Sequence, residues 1–106
     1  SPFYMSPEQL HDAKYVDHRS DIYAVGATLY HMLTGVAPYS EFGAKMQVLY
    51  AKMENRVIPL SEKCPGLPPR IVQIVEKAMA HSLQERFQTA AEMKQELAVF
   101  WKEFKK

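Results

Sequence analysis

Apolar positions fall into four helical blocks separated by connectors rich in proline and glycine. The first spans residues 18–34. Its apolar residues, from Ile22 and Tyr23 through Leu29, Tyr30 and Leu33, are not confined to one stripe. A helix that is hydrophobic nearly all round is a buried one, so other elements must pack around it. Asp17 is placed to cap its start and Gly35 to end it. A second block covers about 44–54, where Met46, Leu49, Tyr50 and Met53 recur at helical spacing and read as one buried face. Residues 57–69 hold four prolines and a glycine and read as a loop. The third block, about 70–80, lines up Ile71, Ile74, Val75, Ala78 and Met79 on one side, with Pro69 suited to its first turn. The fourth runs from Thr89 to the C-terminus. Thr89 and Glu92 form a capping-box pattern, and Met93, Leu97, Phe100, Trp101 and Phe104 follow at steps of three and four. No alternating strand pattern of useful length occurs. The fold class is therefore all-α, in one domain spanning residues 1–106.

Composition narrows the function classes. The chain has 106 residues, 47% hydrophobic and 24% charged, with a formal net charge of +1. That is globular composition without the basic stripe of a nucleic-acid binder. Lys102, Lys105 and Lys106 read as a solvated helix end. A single cysteine, Cys64, cannot form an internal disulfide and fits a reducing, cytoplasmic compartment. No apolar run approaches a membrane span in this segment. His11, His18, His31 and His81 lack metal-ligand spacing and read as structural or solvated. The chain opens on Ser1, which reads as an excised piece or as numbering that leaves out an upstream part.

Three motifs, in order, carry a resemblance. Ser1-Pro2-Phe3-Tyr4-Met5-Ser6-Pro7-Glu8-Gln9 resembles the end of a protein-kinase activation segment. There the substrate-facing P+1 loop runs into an Ala-Pro-Glu motif, with Ser6 standing in for the alanine. Asp21-Ile22-Tyr23-Ala24-Val25-Gly26 resembles the aspartate-to-glycine signature of the kinase central helix. Arg86-Phe87-Gln88-Thr89-Ala90-Ala91-Glu92-Met93 resembles the stretch that opens the last helix of the lobe. The chain is thereby similar to the C-terminal part of the large lobe of a serine/threonine protein kinase, most closely the bacterial eukaryotic-type (Hanks-type) group. The expected architecture is a buried central helix at about 18–34 with three further main helices around it.

The resemblance implies roles residue by residue. Glu8 and Arg86 would pair, a carboxylate held by a planar guanidinium, and tie the substrate loop to the helical base. Ser1, Pro2, Phe3 and Tyr4 would shape the pocket for the residue after the phosphoacceptor. Tyr4 stands where serine/threonine kinases usually carry tyrosine. Asp21 would accept hydrogen bonds from the backbone of a catalytic loop, and Gly26 belongs to the same structural signature. One departure stands out. The family's usual Asp-Pro or Asn-Pro before the arginine is Ser82-Leu83 here, which leaves the local loop shape open.

Phosphoryl transfer needs a phosphate clamp, a strand lysine with its helix glutamate, a catalytic aspartate and metal-binding Asp and Asn. None of those motifs occurs in these 106 residues. No residue is therefore assigned a catalytic, cofactor or metal role. The intact parent would use ATP and Mg²⁺ and act on protein Ser or Thr, whereas this chain alone is expected to be inactive. Its expected partners are the kinase N-lobe, the catalytic loop and, in the parent, a protein substrate; nucleic acid is not expected, nor is a membrane in this segment, while anchoring of the parent elsewhere stays open. A kinase-derived, pseudokinase-like interaction module and an unrelated helical domain with chance matches remain alternatives. Apolar surface left without those partners would favour a homo-oligomer.

Overall fold

The computed structural model describes residues 2–10 and 16–105, so the expectations for Ser1, His11 and Lys106 lie outside the described residues. Five α-helices follow one another: α1 His18–Thr34, α2 Lys45–Met53, α3 Leu60–Lys63, α4 Pro69–Ala78 and α5 Ala90–Phe104. Short 3-10 turns at Pro7–Leu10 and Leu83–Glu85 complete the described elements, and no strand occurs among them.

Local chemistry sets the helix ends. The Asp17 carboxylate accepts the Arg19 N–H at 2.8 Å and so satisfies a free donor of α1. Gly35 closes α1 at φ 84°, in the left-handed region, and donates its N–H to the His31 carbonyl at 2.8 Å. At α2, Gln47 Oε1 accepts the N–H groups of Gly43 and Ala44, at 3.1 and 3.2 Å. The Thr89 hydroxyl accepts the Glu92 N–H at 3.1 Å. Glu92 reaches back one residue further than a capping box requires, to the Gln88 N–H at 3.1 Å.

Helix α4 lies across α1, and α5 packs on α4. The apolar side of α4 enters the core as the spacing requires: Ile71, Ile74, Val75, Ala78 and Met79 are all buried. At the crossing, Gly26 lets the backbones approach closely. A Cβ there would stand 2.8 Å from Ala78 Cβ and 2.9 Å from Met79 Cγ, which forbids a side chain without displacement of α4.

Three sequence expectations are corrected. Helix α1 is not buried all round: Asp21, Val25, Thr28 and Met32 form an exposed stripe, with Met32 74% exposed. The molecule measures 44 × 29 × 18 Å, room for about two helix layers, so α1 leaves one stripe uncovered. The seam of α2 is inverted. Val48, Ala51 and Lys52 are buried, whereas Met46, Tyr50 and Met53 face out. The 57–69 connector contains α3, whose Leu60 is a core residue at 1% exposure. Four residues are too few for a helical period to show.

The aromatic face of α5 is divided as well. Met93 is buried and Leu97 and Phe100 pack against the core, but Trp101 and Phe104 are mostly exposed; Phe104 stacks on Phe100, and Trp101 lies tilted against Phe104.

Candidate functional site: the anchored substrate loop

Residues 2–8 run over α1 and α2, with Tyr4 at His31, Met5 at Lys52 and Glu8 at Ser20, and one ion pair fixes where they land. Glu8 lies in the Pro7–Leu10 turn and is 8% exposed; Arg86 follows the Leu83–Glu85 turn and is 1% exposed. Their side chains meet in a parallel fork. Arg86 Nη1 donates to Glu8 Oε2 and Nη2 to Glu8 Oε1, both at 2.7 Å. The other guanidinium donors are also used. Nε donates to the Ala80 carbonyl at 2.7 Å, Nη1 to the Arg19 carbonyl at 3.1 Å and Nη2 to the His81 carbonyl at 3.3 Å. Ser20 Oγ donates to Glu8 Oε2 at 2.7 Å. The Tyr23 ring lies under the guanidinium, 5.0 Å from centroid to Cζ.

This saturation decides how costly the buried charges are. A buried ion pair is tolerable only if its remaining donors and acceptors are satisfied. Arginine has five N–H groups, and the hydrogen bonds above account for all of them. Burial pushes the Glu8 carboxyl pKa up, but the hydrogen bonds from Arg86 and Ser20 more than offset this and hold it down at about 2. The pair therefore stays ionised at neutral pH and joins three regions: the 2–8 segment, the start of α1 and the α4–α5 connector.

That connector forms its turn without the family's dipeptide. The Glu85 N–H donates to the Ser82 carbonyl at 3.1 Å, and Ser82 Oγ bonds Gln84 Oε1 at 2.7 Å. The Ser82-Leu83 departure thus leaves Arg86 in position.

Of the residues expected to form the P+1 pocket, Phe3 packs against a small core of Tyr39, Val48 and Ala51. Tyr4 packs against the main core, its hydroxyl 2.5 Å from His31 Nδ1 with the two rings stacked. Asp21 is exposed in the first turn of α1, apart from the Glu8–Arg86 pair. It stands near the positive end of the helix, a favourable place for a carboxylate. His18 Nε2 is 2.6 Å from the Gln88 carbonyl, which ties α1 to the start of α5. Among the described residues no group of three or more His, Cys, Asp or Glu could hold a metal ion.

Lys52 has no place in the sequence-based site, yet it lies under the loop. It is fully buried on α2, its ammonium donating to the Met5 carbonyl and standing 5.5 and 5.6 Å from the ring centroids of Tyr23 and Tyr39. The available signal was the register of Val48, Ala51 and Lys52 at i, i+3 and i+4. The heavier Met46–Tyr50–Met53 stripe concealed it.

An all-helical floor with a loop anchored by a buried Glu–Arg fork defines the lower part of a protein-kinase large lobe. The comparisons with known proteins agree. The protein kinase domain family matches residues 1–98, and the chain belongs to that family. It is 39% identical over 97 residues to the probable serine/threonine-protein kinase PknB of Bifidobacterium longum, covering 92% of this chain and 14% of the relative. Against the serine/threonine-protein kinase PknB of Mycobacterium tuberculosis it is 39% identical over 94 residues, 89% of this chain and 15% of the relative. It is equally 39% identical over 100 residues to the tyrosine-protein kinase MasK of Myxococcus xanthus, 94% of this chain and 15% of the relative. The chain thus spans about one-seventh of the length of these curated relatives. No described helix is long and apolar enough to cross a membrane.

Proposed function

We propose that this chain is the substrate-side floor of a cytoplasmic serine/threonine protein kinase, one that transfers the ATP γ-phosphate to protein hydroxyls. The observation that carries the reading is the saturated Glu8–Arg86 fork, which seats residues 2–8 on the helices with residues 6–8 buried and residues 2–5 half-buried. On this reading Pro2, Phe3 and Tyr4 shape the P+1 pocket, and Asp21 with the exposed stripe of α1 receives the catalytic loop. On the same reading ATP and Mg²⁺ would be held by the rest of the kinase, no step of the transfer is routed through this chain, and alone it is expected to be inactive.

A chimera tests the proposal. Residues 1–98 would replace the matching stretch of the M. tuberculosis PknB kinase domain. The chimera is expected to phosphorylate a protein substrate on Ser and Thr, whereas the isolated chain transfers nothing. A chimera that folds and binds ATP but transfers no phosphate would contradict the reading. Because one relative is named a tyrosine kinase, the phosphoamino acid produced is informative, and phosphotyrosine alone would favour that second reading.

The same proposal includes self-association of the isolated chain. Val25 and Met32 on α1, Met46 and Tyr50 on α2, and Trp101 and Phe104 on α5 are all between 47% and 74% exposed. Apolar surface on this scale promotes association. Sedimentation is expected to show a concentration-dependent dimer or larger species, and a clean monomer at high concentration would argue against it.

A further inference from the structure

Lys52 is a buried amine with no counter-ion among the described residues. Among the described residues no carboxylate pairs with it, and its contacts are the Met5 carbonyl and the faces of Tyr23 and Tyr39. Three elements converge on its amine: the 2–8 segment, α1 through Tyr23, and the loop after α1 through Tyr39. Tyr39 is 2% exposed and sits at φ 66°, a left-handed conformation that a bulky side chain adopts only when its surroundings hold it there. The Tyr23 ring also carries the Arg86 guanidinium, 5.0 Å from its centroid. Tyr23 is thus shared between the amine and the fork.

We infer that Lys52 is a positioning residue for residues 2–8, and that proton binding at its amine loosens this segment from the floor. The loop seat is therefore firmer at mildly alkaline pH than at neutral pH. The seat itself does not depend on the kinase reading; only its consequence for a substrate does.

The direction follows from linkage. Burial lowers the Lys52 pKa to about 7, from the 10.5 of an amine in water. When the 2–8 segment lifts, the amine reaches water and binds its proton more tightly. Between those values the open form holds more protons than the closed one. Opening therefore becomes less favourable as pH rises, by about tenfold per pH unit, and levels off below the lower value. The groups facing Lys52 do not reverse this within the window. Burial pushes the Tyr39 phenol up to about 12 and the Tyr23 phenol higher still, so in the open form they titrate only near 10. Glu8 is ionised throughout, and arginine keeps its charge.

Hydrogen exchange of the chain tests this. The Ser6 N–H, bonded to Gln9 Oε1, and the Gln9 N–H, bonded to the Ser6 carbonyl, report opening of the segment. The buried Ile74 and Val75 amides on α4 report unfolding of the whole chain. After division by intrinsic exchange rates, the opening constant at Ser6 and Gln9 is expected to fall about 100-fold from pH 7.5 to 9.5 and to exceed that at Ile74 and Val75 at both pH values. In Lys52→Met the profile is expected to be flat. His31 and the acidic groups remain in that variant, so the flattening assigns the slope to Lys52. A flat wild-type profile would overturn the inference even if the variant did not fold. Equal opening at all four amides, or an unchanged slope in Lys52→Met, would overturn it as well.

Discussion

Arg86→Ala is expected to destabilise the chain by about 3–5 kcal/mol, because it strands a buried carboxylate. The lost side chain supplies both donors to Glu8 and the contacts to the carbonyls of Arg19, Ala80 and His81. Truncation leaves Glu8 with Ser20 as its one remaining partner among the two that hold it most closely. Whole domains are stable by only about 5–15 kcal/mol, so a thin helical layer has little margin for such a loss. Urea denaturation at neutral pH is the measurement. A midpoint equal to the wild type would mean that the fork contributes nothing. Arg86→Lys is expected to recover only part of the loss, since a point charge cannot reproduce the fork and reach three further carbonyls.

Acid should act on the same fork. The Glu8 pKa is depressed in the folded chain, so its contribution is fully present above the ordinary carboxylate value of 4.5 and is lost as pH falls from there through about 2. A depression of this size corresponds to about 3 kcal/mol of stability, the second large effect. Urea midpoints at pH 5.5 and pH 2 should therefore differ strongly in the wild type. Glu8→Gln should be less stable at pH 5.5 and show a much smaller fall on acidification. An equal fall in both chains would place the acid sensitivity elsewhere.

The sequence declared its helices more clearly than its surfaces. The ends of α1 were legible because Asp17 and Gly35 are chemically specific stop signals, and the inner face of α4 because five apolar residues share one side. What misled was the assumption that the greasier stripe faces inward. On α2, Met46, Tyr50 and Met53 outweigh Val48, Ala51 and Lys52, yet the lighter stripe is buried. The 2–8 segment brings a carbonyl for Lys52 to hold and Phe3 to pack on Val48 and Ala51. That is tertiary information, absent from the helix itself. Similarly, α1 is apolar nearly all round but leaves one stripe uncovered, because helical period describes what a helix can bury and not which neighbours lie beside it.

The candidate site was legible where it rests on long-range motifs. Glu8 and Arg86 are 78 residues apart, and no local pattern pairs them; their motifs did. Ser20 and Lys52 belong to no motif, and their contacts, like the place of the Tyr23 ring beside the guanidinium, emerged only from the packing. Ser82-Leu83 shows the reverse case. A departure in the motif left the position of Arg86 unchanged, because backbone hydrogen bonds close that turn whatever the dipeptide.

One buried fork seats residues 2–8 on the helical floor. A double-mutant cycle between Glu8→Ala and Arg86→Ala, read by urea denaturation, tests it most directly. Residues that act as one unit are non-additive, and a coupling of about 3 kcal/mol is predicted, so that the double variant loses clearly less than the sum of the two single losses. Losses that add to within about 0.5 kcal/mol would show two independent surface charges and contradict the account.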